Sequence, residues 1–362
     1  MNYKMDKKDA VPVYLQLYKQ IRDDIVEGIY DYNSRLPSKR TLAEECGVSM
    51  ITVEHAYLLL CDEGYVESRE RSGYFVSFRK NDGFQTSERV GFKPIESAAT
   101  NVVSQEAFPF SVLTKTMRRV MTDYGERILE RSPNAGCVEL RSAISRYLAR
   151  SRGIHVGAKQ IVIGSGSEYL YSLIIELLGR GKRYALESPS YHKIEQVYQA
   201  AEVAYEMLPL GQDGILSEQL WKSKADVLHI TPYRSFPSGV IASATKRYEY
   251  LKWAGEGERY IIEDDFESEF SVSTKPEDTL VSYDLHDNVI YMNTFSKTIS
   301  PSLRVGYMVL PVKLVPEFEK RLGFYSCTVA TFIQYVLTAL IENGDFERHI
   351  NRVRRKKRKE LS

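Results

Sequence analysis

The chain has 362 residues, a formal net charge of +1 and four scattered cysteines, Cys46, Cys61, Cys137 and Cys327, with no C-x-x-C pair. That length suits two or three domains, the balanced charge excludes a global basic field for nucleic acid, and the cysteine spacing argues against a disulfide framework or a zinc site. No stretch reaches the ~18 apolar residues of a membrane span and no apolar signal core follows the amino terminus, so a soluble cytoplasmic protein with no metal and no membrane partner is expected.

In chain order, Val13, Leu17, Ile21, Ile25 and Ile29 recur every four residues after Pro12, which predicts a one-faced helix weakened at Gly28. Ser38 is a candidate N-cap for a short helix closed by Gly47. Ser49 can cap the next, Met50 to about Glu63, with Val53, Ala56, Tyr57 and Leu60 inward. Two short helices joined through a glycine turn form a helix-turn-helix pattern, whose second helix enters the DNA major groove. Residues 65–68 and 73–77 predict a hairpin around Arg69-Glu-Arg-Ser, a basic wing. On the residues alone, a small helical bundle with no role on DNA stays open. Residues 79–107 are polar and carry little periodicity, as a linker does.

Beyond residue 108 the pattern alternates. Helical stretches (110–131, 139–152) precede short apolar runs ending near Gly164, Ser188, Ile230, Asp264 and Met292, with helices between them. This predicts an α/β fold with a mainly parallel sheet and helices on both faces. Ser165-Gly-Ser-Glu-Tyr-Leu lies between a strand and a helix N-terminus, where free N–H groups and the helix dipole can cradle an anion. Such a turn is common to α/β proteins. Tyr191 follows a strand end and can either stack on a flat ring or pack a loop. Glu263-Asp264-Asp265 ends another strand, where α/β ligands bind; the alternative is a solvated acidic turn. Lys297 sits in the polar turn Thr294-Phe-Ser-Lys-Thr. It is either a solvated surface lysine or, with Thr294, Ser296 and Arg304 to hold a phosphate dianion, an amine suited to a Schiff base with pyridoxal phosphate.

Pro12-Val-Tyr-Leu-Gln-Leu, Leu36-Pro-Ser-Lys-Arg-Thr-Leu-Ala, Gly47-Val-Ser-x-x-Thr-Val and Gly73-Tyr-Phe-Val stand in the order and spacing of GntR-family winged-helix domains, which residues 10–78 resemble throughout. The resemblance implies operator DNA binding, with Ser38, Arg40, Ser49 and Thr52 at or near phosphates or base edges. Lys39, His55, Arg69 and Arg71 can add phosphate contacts. The chain departs from the family at Met50, where arginine is common, and at Arg71-Ser-Gly73, where Gly-x-Gly is usual. From about residue 105, Cys137-Val-Glu-Leu-Arg-Ser-Ala-Ile, Gly164-Ser-Gly-Ser-Glu, Glu187-Ser-Pro-Ser-Tyr191, Phe236-Pro-Ser-Gly239, Glu263-Asp-Asp-Phe-Glu-Ser-Glu-Phe270 and Thr294-Phe-Ser-Lys-Thr resemble fold-type I aminotransferases, and more closely the MocR subgroup of GntR regulators. This resemblance implies that Lys297 forms the Schiff base with pyridoxal phosphate. Asp264, rather than Asp265, pairs with the pyridine nitrogen, and Tyr191 stacks on the ring. Ser165, Gly166 and Ser167, with Ser296 and Arg304, hold the phosphate. Phe266 replaces a tyrosine of the relatives, and Arg234-Ser235 replaces His-Gln. The basic run from Arg352 reads as a solvated helix face, ending where the family continues into a small carboxylate-binding domain, so a truncated C-terminal domain is expected.

The expectation is a winged helix-turn-helix domain (1–78), a linker (79–107) and an incomplete aminotransferase-like domain (108–362) of a homodimeric transcriptional regulator. Its partners are operator DNA and an amine or amino-acid effector, sensed through pyridoxal phosphate or replaced by the cofactor itself as signal. It is expected to be no turnover enzyme, with residual transamination allowed. Two alternatives stay open: a working aminotransferase with an accessory DNA-binding domain, and a regulator whose large domain has lost the cofactor and only dimerises.

Overall fold

The first two helices each stop at a glycine in the left-handed region: α1 (Val13–Glu27) at Gly28, φ 84°, and α2 (Lys39–Cys46) at Gly47, φ 60°. The computed structural model describes residues 3–6, 11–79, 107–265, 268–271 and 278–361. Because α1 ends at Gly28, Ile29 lies beyond it and is 53% exposed, which corrects the expectation that the four-residue rhythm runs on to Ile29. Serine caps set the starts of the next two helices. Ser38 Oγ accepts from the Thr41 N–H and Ser49 Oγ from the Thr52 N–H, both at 3.1 Å, opening α2 and α3 (Met50–Asp62). β1 (Val66–Arg69) and β2 (Gly73–Val76) pair as an antiparallel wing. Leu17, Ile21, Leu42, Val53, Tyr57 and Leu60 close a core among the three helices and the wing. This is a winged helix. It lies in the first of two units into which the chain divides, Met1–Ala99 and Thr100–Ser362.

In the second unit, α4 (Phe110–Tyr124) and α5 (Val138–Arg152) lead into a seven-stranded sheet. Its strands are β3 (Ile161–Gly164), β4 (Tyr184–Ser188), β5 (Tyr205–Pro209), β6 (Val227–Ile230), β7 (Tyr260–Asp264), β8 (Val289–Thr294) and β9 (Gly306–Val309), in the spatial order β3-β9-β8-β7-β6-β4-β5. The pairings are parallel except at β9, which runs antiparallel to β3 and to β8. Between strands lie α6 (Ser167–Leu178), α7 (His192–Ala200), α8 (Ser217–Lys222), α9 (Ala244–Gly255) and α10 (Leu280–Tyr283), followed after the sheet by α11 (Leu314–Leu322), α12 (Thr331–Glu342) and α13 (Asp345–Leu361). Side chains alternate across the central strands, so both faces need cover. Ile262, Ile290 and Met308 pack with α6, α7 and α11 on one side, while Tyr291, Tyr307 and Val309 pack with α5, α12 and α13 on the other.

The structure refines the sequence reading at three points. β5, with its mixed burial, escaped the periodicity reading. β8 runs through Thr294, which is buried, so the polar turn starts one residue later than its composition suggests. The basic run is helical but not solvated on every side: Val353 is buried and Arg354 Nε donates to the Glu269 carbonyl at 2.6 Å. Phe266 and most of the expected linker lie outside the described residues.

Gln334 joins α12 to the start of α5. It is fully buried, accepts from the Cys137 N–H at 2.7 Å and donates to the Val329 carbonyl at 2.8 Å. Gln334→Leu would orphan the Cys137 N–H and leave the Val329 carbonyl only the Cys327 thiol at 3.9 Å, and should cost about 1–3 kcal/mol, measured by chemical denaturation.

Candidate functional site

The sheet register gathers the expected cofactor residues at one end. Gly164, the last residue of β3, lies opposite Gly306 of β9, and Gly306 lies opposite Thr294, the last residue of β8. Asp264 ends β7 beside Met292 of β8. Ser165, Gly166 and Ser167 therefore leave the sheet where Arg304 enters it, and Ser296 and Lys297 form the turn after β8. Tyr191 follows β4 at the same end and meets Phe236 edge-on, centroids 5.9 Å apart. Lys297 is exposed in its turn and Ser296 half-buried.

The cradle is tight. Gly166 has φ 93°, and a Cβ there would stand 2.7 Å from Arg304 Nη2. The Ser165 N–H donates to Thr328 Oγ1 at 3.1 Å. A carboxylate already stands among these groups: Glu168, in the first turn of α6, binds Arg304 at 2.5 Å and Lys193 at 3.2 Å. Burial alone would raise the Glu168 carboxyl, but hydrogen bonds from its own backbone N–H, Arg304 and Lys193 outweigh it and pull it down to about 2. It is therefore ionised at any working pH.

The three consecutive acids are not a solvated turn. Glu263, Asp264 and Asp265 are all buried. Asp264 Oδ2 accepts from Tyr171 Oη at 2.5 Å, with His229 Nε2 at 3.8 Å, and Tyr198 Oη lies 3.0 Å from His229 Nδ1. Burial, and next the Asp264 carboxylate, raise the Tyr171 phenol far above its ordinary value, so it stays a donor. Asp265 faces the other side of the sheet and takes Arg152 and Tyr291, each at 2.6 Å. Ser235, one of the two departures before Phe236, donates to buried Glu187 at 2.8 Å.

Sequence reasoning missed Glu168, Tyr171, His229 and Arg152. His229 carried a signal, a lone polar residue in the apolar strand run Val-Leu-His-Ile. Arg152 carried none, because its partner lies 113 residues away.

In the winged helix, Ser38, Arg40, Ser49, His55, Arg69 and Arg71 are exposed, with Lys39 and Thr52 half-buried. Lys39 pairs with Glu54 at 2.5 Å, Arg40 with Glu44 at 3.0 Å, and Arg69 with Glu67 and Asn33, both at 2.5 Å. Arg71 stands at the wing tip with φ 59°.

Comparison with known proteins accounts for both units. Residues 13–76 match the bacterial regulatory proteins of the gntR family, and residues 100–361 match aminotransferase class I and II. The HTH-type transcriptional regulator YdeL of Bacillus subtilis is 33% identical over 96% of this chain and 77% of its own length. The probable rhizopine catabolism regulatory protein MocR of Rhizobium meliloti is 28% identical over 97% of this chain and 76% of its own. The chain belongs to the MocR-type GntR regulators. Among solved structures, the kynurenine aminotransferase of Pyrococcus horikoshii matches with a TM-score of 0.61 at 28% identity, covering 68% of this chain and 64% of that enzyme. The regulator thus spans less than two thirds of the enzyme's length. No helix among its described residues is long and apolar enough to cross a membrane.

Two predictions follow from the site of this MocR-type regulator. Burial raises the Glu263 carboxyl to about 7, and burial with the neighbouring Asp265 charge raises Glu269. An acid whose folded pKa is raised contributes stability that is complete below its unfolded value, near ~4.3, and is lost as pH rises through the folded value. The melting temperature of the large unit should therefore fall between about pH 5 and pH 8, and Glu269→Gln should flatten that fall. Separately, Glu168→Gln removes a competing anion beside Arg304 and Lys193. Inorganic phosphate should then bind roughly tenfold tighter by calorimetric titration; equal affinity would show that phosphate does not enter between these groups.

Proposed function

We propose that this chain is a DNA-binding transcriptional regulator, with an operator-binding domain in residues 1–78, a connection through 79–107, and a domain from 108 onward that holds pyridoxal phosphate and senses it or an amine or amino-acid effector. It would act in the cytoplasm as a homodimer. The observation that carries this reading is the placement, on one chain with a winged helix, of Lys297 and Arg304 at the same sheet end as the Gly166 cradle and the buried Asp264.

The donor set fits the cofactor. The Ser165–Ser167 turn, Ser296 and Arg304 supply N–H, hydroxyl and guanidinium donors for a phosphate dianion. The crowding at Gly166 leaves backbone but no side chain between the turn and Arg304. Asp264 would hold a proton on the pyridine nitrogen, its carboxylate oriented by the Tyr171 hydroxyl. Tyr191 offers an aromatic face beside that end of the sheet. Lys297 would supply the amine that links covalently to the cofactor's aldehyde. When bound, the cofactor lends its ring as an electron sink for chemistry on an amine. An incoming amine that takes the place of Lys297 changes the contacts in the cleft, and only such a differential contact can shift a regulator between states. The identity of the relatives as regulators supports regulation over turnover.

Titrating the purified protein with pyridoxal phosphate should give a visible absorbance band red-shifted from that of free cofactor. Lys297→Ala should lose the band while its circular dichroism stays native. Wild-type protein with no band would sink the cofactor part of this reading, leaving the DNA-binding part to be judged by operator binding.

A further inference from the structure

The outward face of α3 opens with two apolar side chains. Met50 is 52% and Ile51 64% exposed, while Val53, Ala56, Tyr57 and Leu60 fill the inward face. The polar side chains of the same two turns are engaged. Ser49 Oγ caps Thr52 and lies 2.8 Å from its hydroxyl, Glu54 takes the Lys39 ammonium at 2.5 Å, and the His55 ring stands edge-on to Tyr14 at 5.8 Å. The helix, Met-Ile-Thr-Val-Glu-His-Ala-Tyr-Leu-Leu-Leu-Cys-Asp, contains neither arginine nor lysine. Exposed cations lie off it, at Arg40 in α2 and at Arg69 and Arg71 on the wing.

These facts constrain what α3 can read. Guanine presents two acceptors in the major groove, which a forked cation satisfies best, and α3 has none to offer. The groove's apolar feature is the 5-methyl group of thymine. The flanking arginines suit the phosphates on either side, which position a helix without reading sequence. We propose that Met50 and Ile51 read thymine methyl groups, so that each operator half-site carries T·A pairs under the first turn of α3. This inference rests on the operator-binding reading of the amino-terminal unit.

The test uses the full chain. Duplexes enriched from a random pool should share a half-site with thymines at fixed positions. Replacing each of these thymines singly by deoxyuridine removes only the methyl group. At one or two positions per half-site this should weaken binding about fourfold, the worth of one buried carbon. Met50→Ala and Ile51→Ala, at exposed positions that leave the fold intact, should bind thymine and deoxyuridine duplexes almost equally at the position each side chain covers. Equal binding of thymine and deoxyuridine duplexes by the wild type at every position would overturn the proposal. So would discrimination that both alanine variants retain. If no sequence is enriched over bulk DNA, the operator-binding reading itself fails, and this inference falls with it.

Discussion

Two successive carboxylates at the end of a strand buried on both faces must point to opposite sides of the sheet, and neither can reach water. That constraint organises the large unit. Asp265 is met by Arg152 from the last turn of α5 and by Tyr291, whereas Asp264 is met by the neutral phenol of Tyr171. The difference matters chemically. A carboxylate already neutralised by a guanidinium has little left to offer a cationic ligand atom. One that takes a phenol hydroxyl, with the His229 ring 3.8 Å away, is met by no guanidinium or ammonium among the described residues. The ion pair behind the sheet is structural in effect, since a buried charge deprived of its partner costs about 3–5 kcal/mol. The Asp264–Tyr171 pair, on the side that the proposed cofactor would occupy, orients a carboxylate without an ion pair.

The helix that supplies Tyr171 also carries the anion cradle. Glu168 and Tyr171 are one turn apart on α6, so the groups at Arg304 and the group that orients Asp264 ride on one rigid element. On the proposed reading, a shift at the phosphate end of the cleft would be passed to the ring end. This coupling comes from three-residue helical spacing and from the register that sets Gly164, Gly306 and Thr294 side by side.

Much of this was legible in the residue order. The serine caps at Ser38 and Ser49, the glycine stops at Gly28 and Gly47 and the apolar strand runs are local signals, and each produced its element. Ser165–Ser167, Asp264 and Lys297 share one end of the sheet because their strands run the same way, whereas Arg304 joins them because β9 returns antiparallel beside β8, a grouping that the sequence carried only through its family resemblance. What stayed illegible depends on distant partners. Arg152 finds Asp265, and Arg304 finds Glu168 across 136 residues, through packing that no local period records. Glu168 was visible only as an ordinary acid in the first turn of a helix, where the dipole welcomes one.

Its presence sets a scale for any sensing mechanism. A phosphate arriving at Arg304 exchanges one anion for another, so much of the Coulomb gain is cancelled by the pair it displaces. Moving a two-state protein from 1:99 to 99:1 takes a preference of about 10⁴-fold between states. A cradle that exchanges one anion for another at Arg304 supplies little of that preference. On the proposed reading the remainder would come from contacts that Glu168 cannot imitate: a protonated ring nitrogen at Asp264, a flat face beside Tyr191, and the amine of Lys297. On the proposed reading, free phosphate would therefore be a poor signal for this regulator. The covalently competent cofactor, or an amine that competes with Lys297 for it, would be a good one.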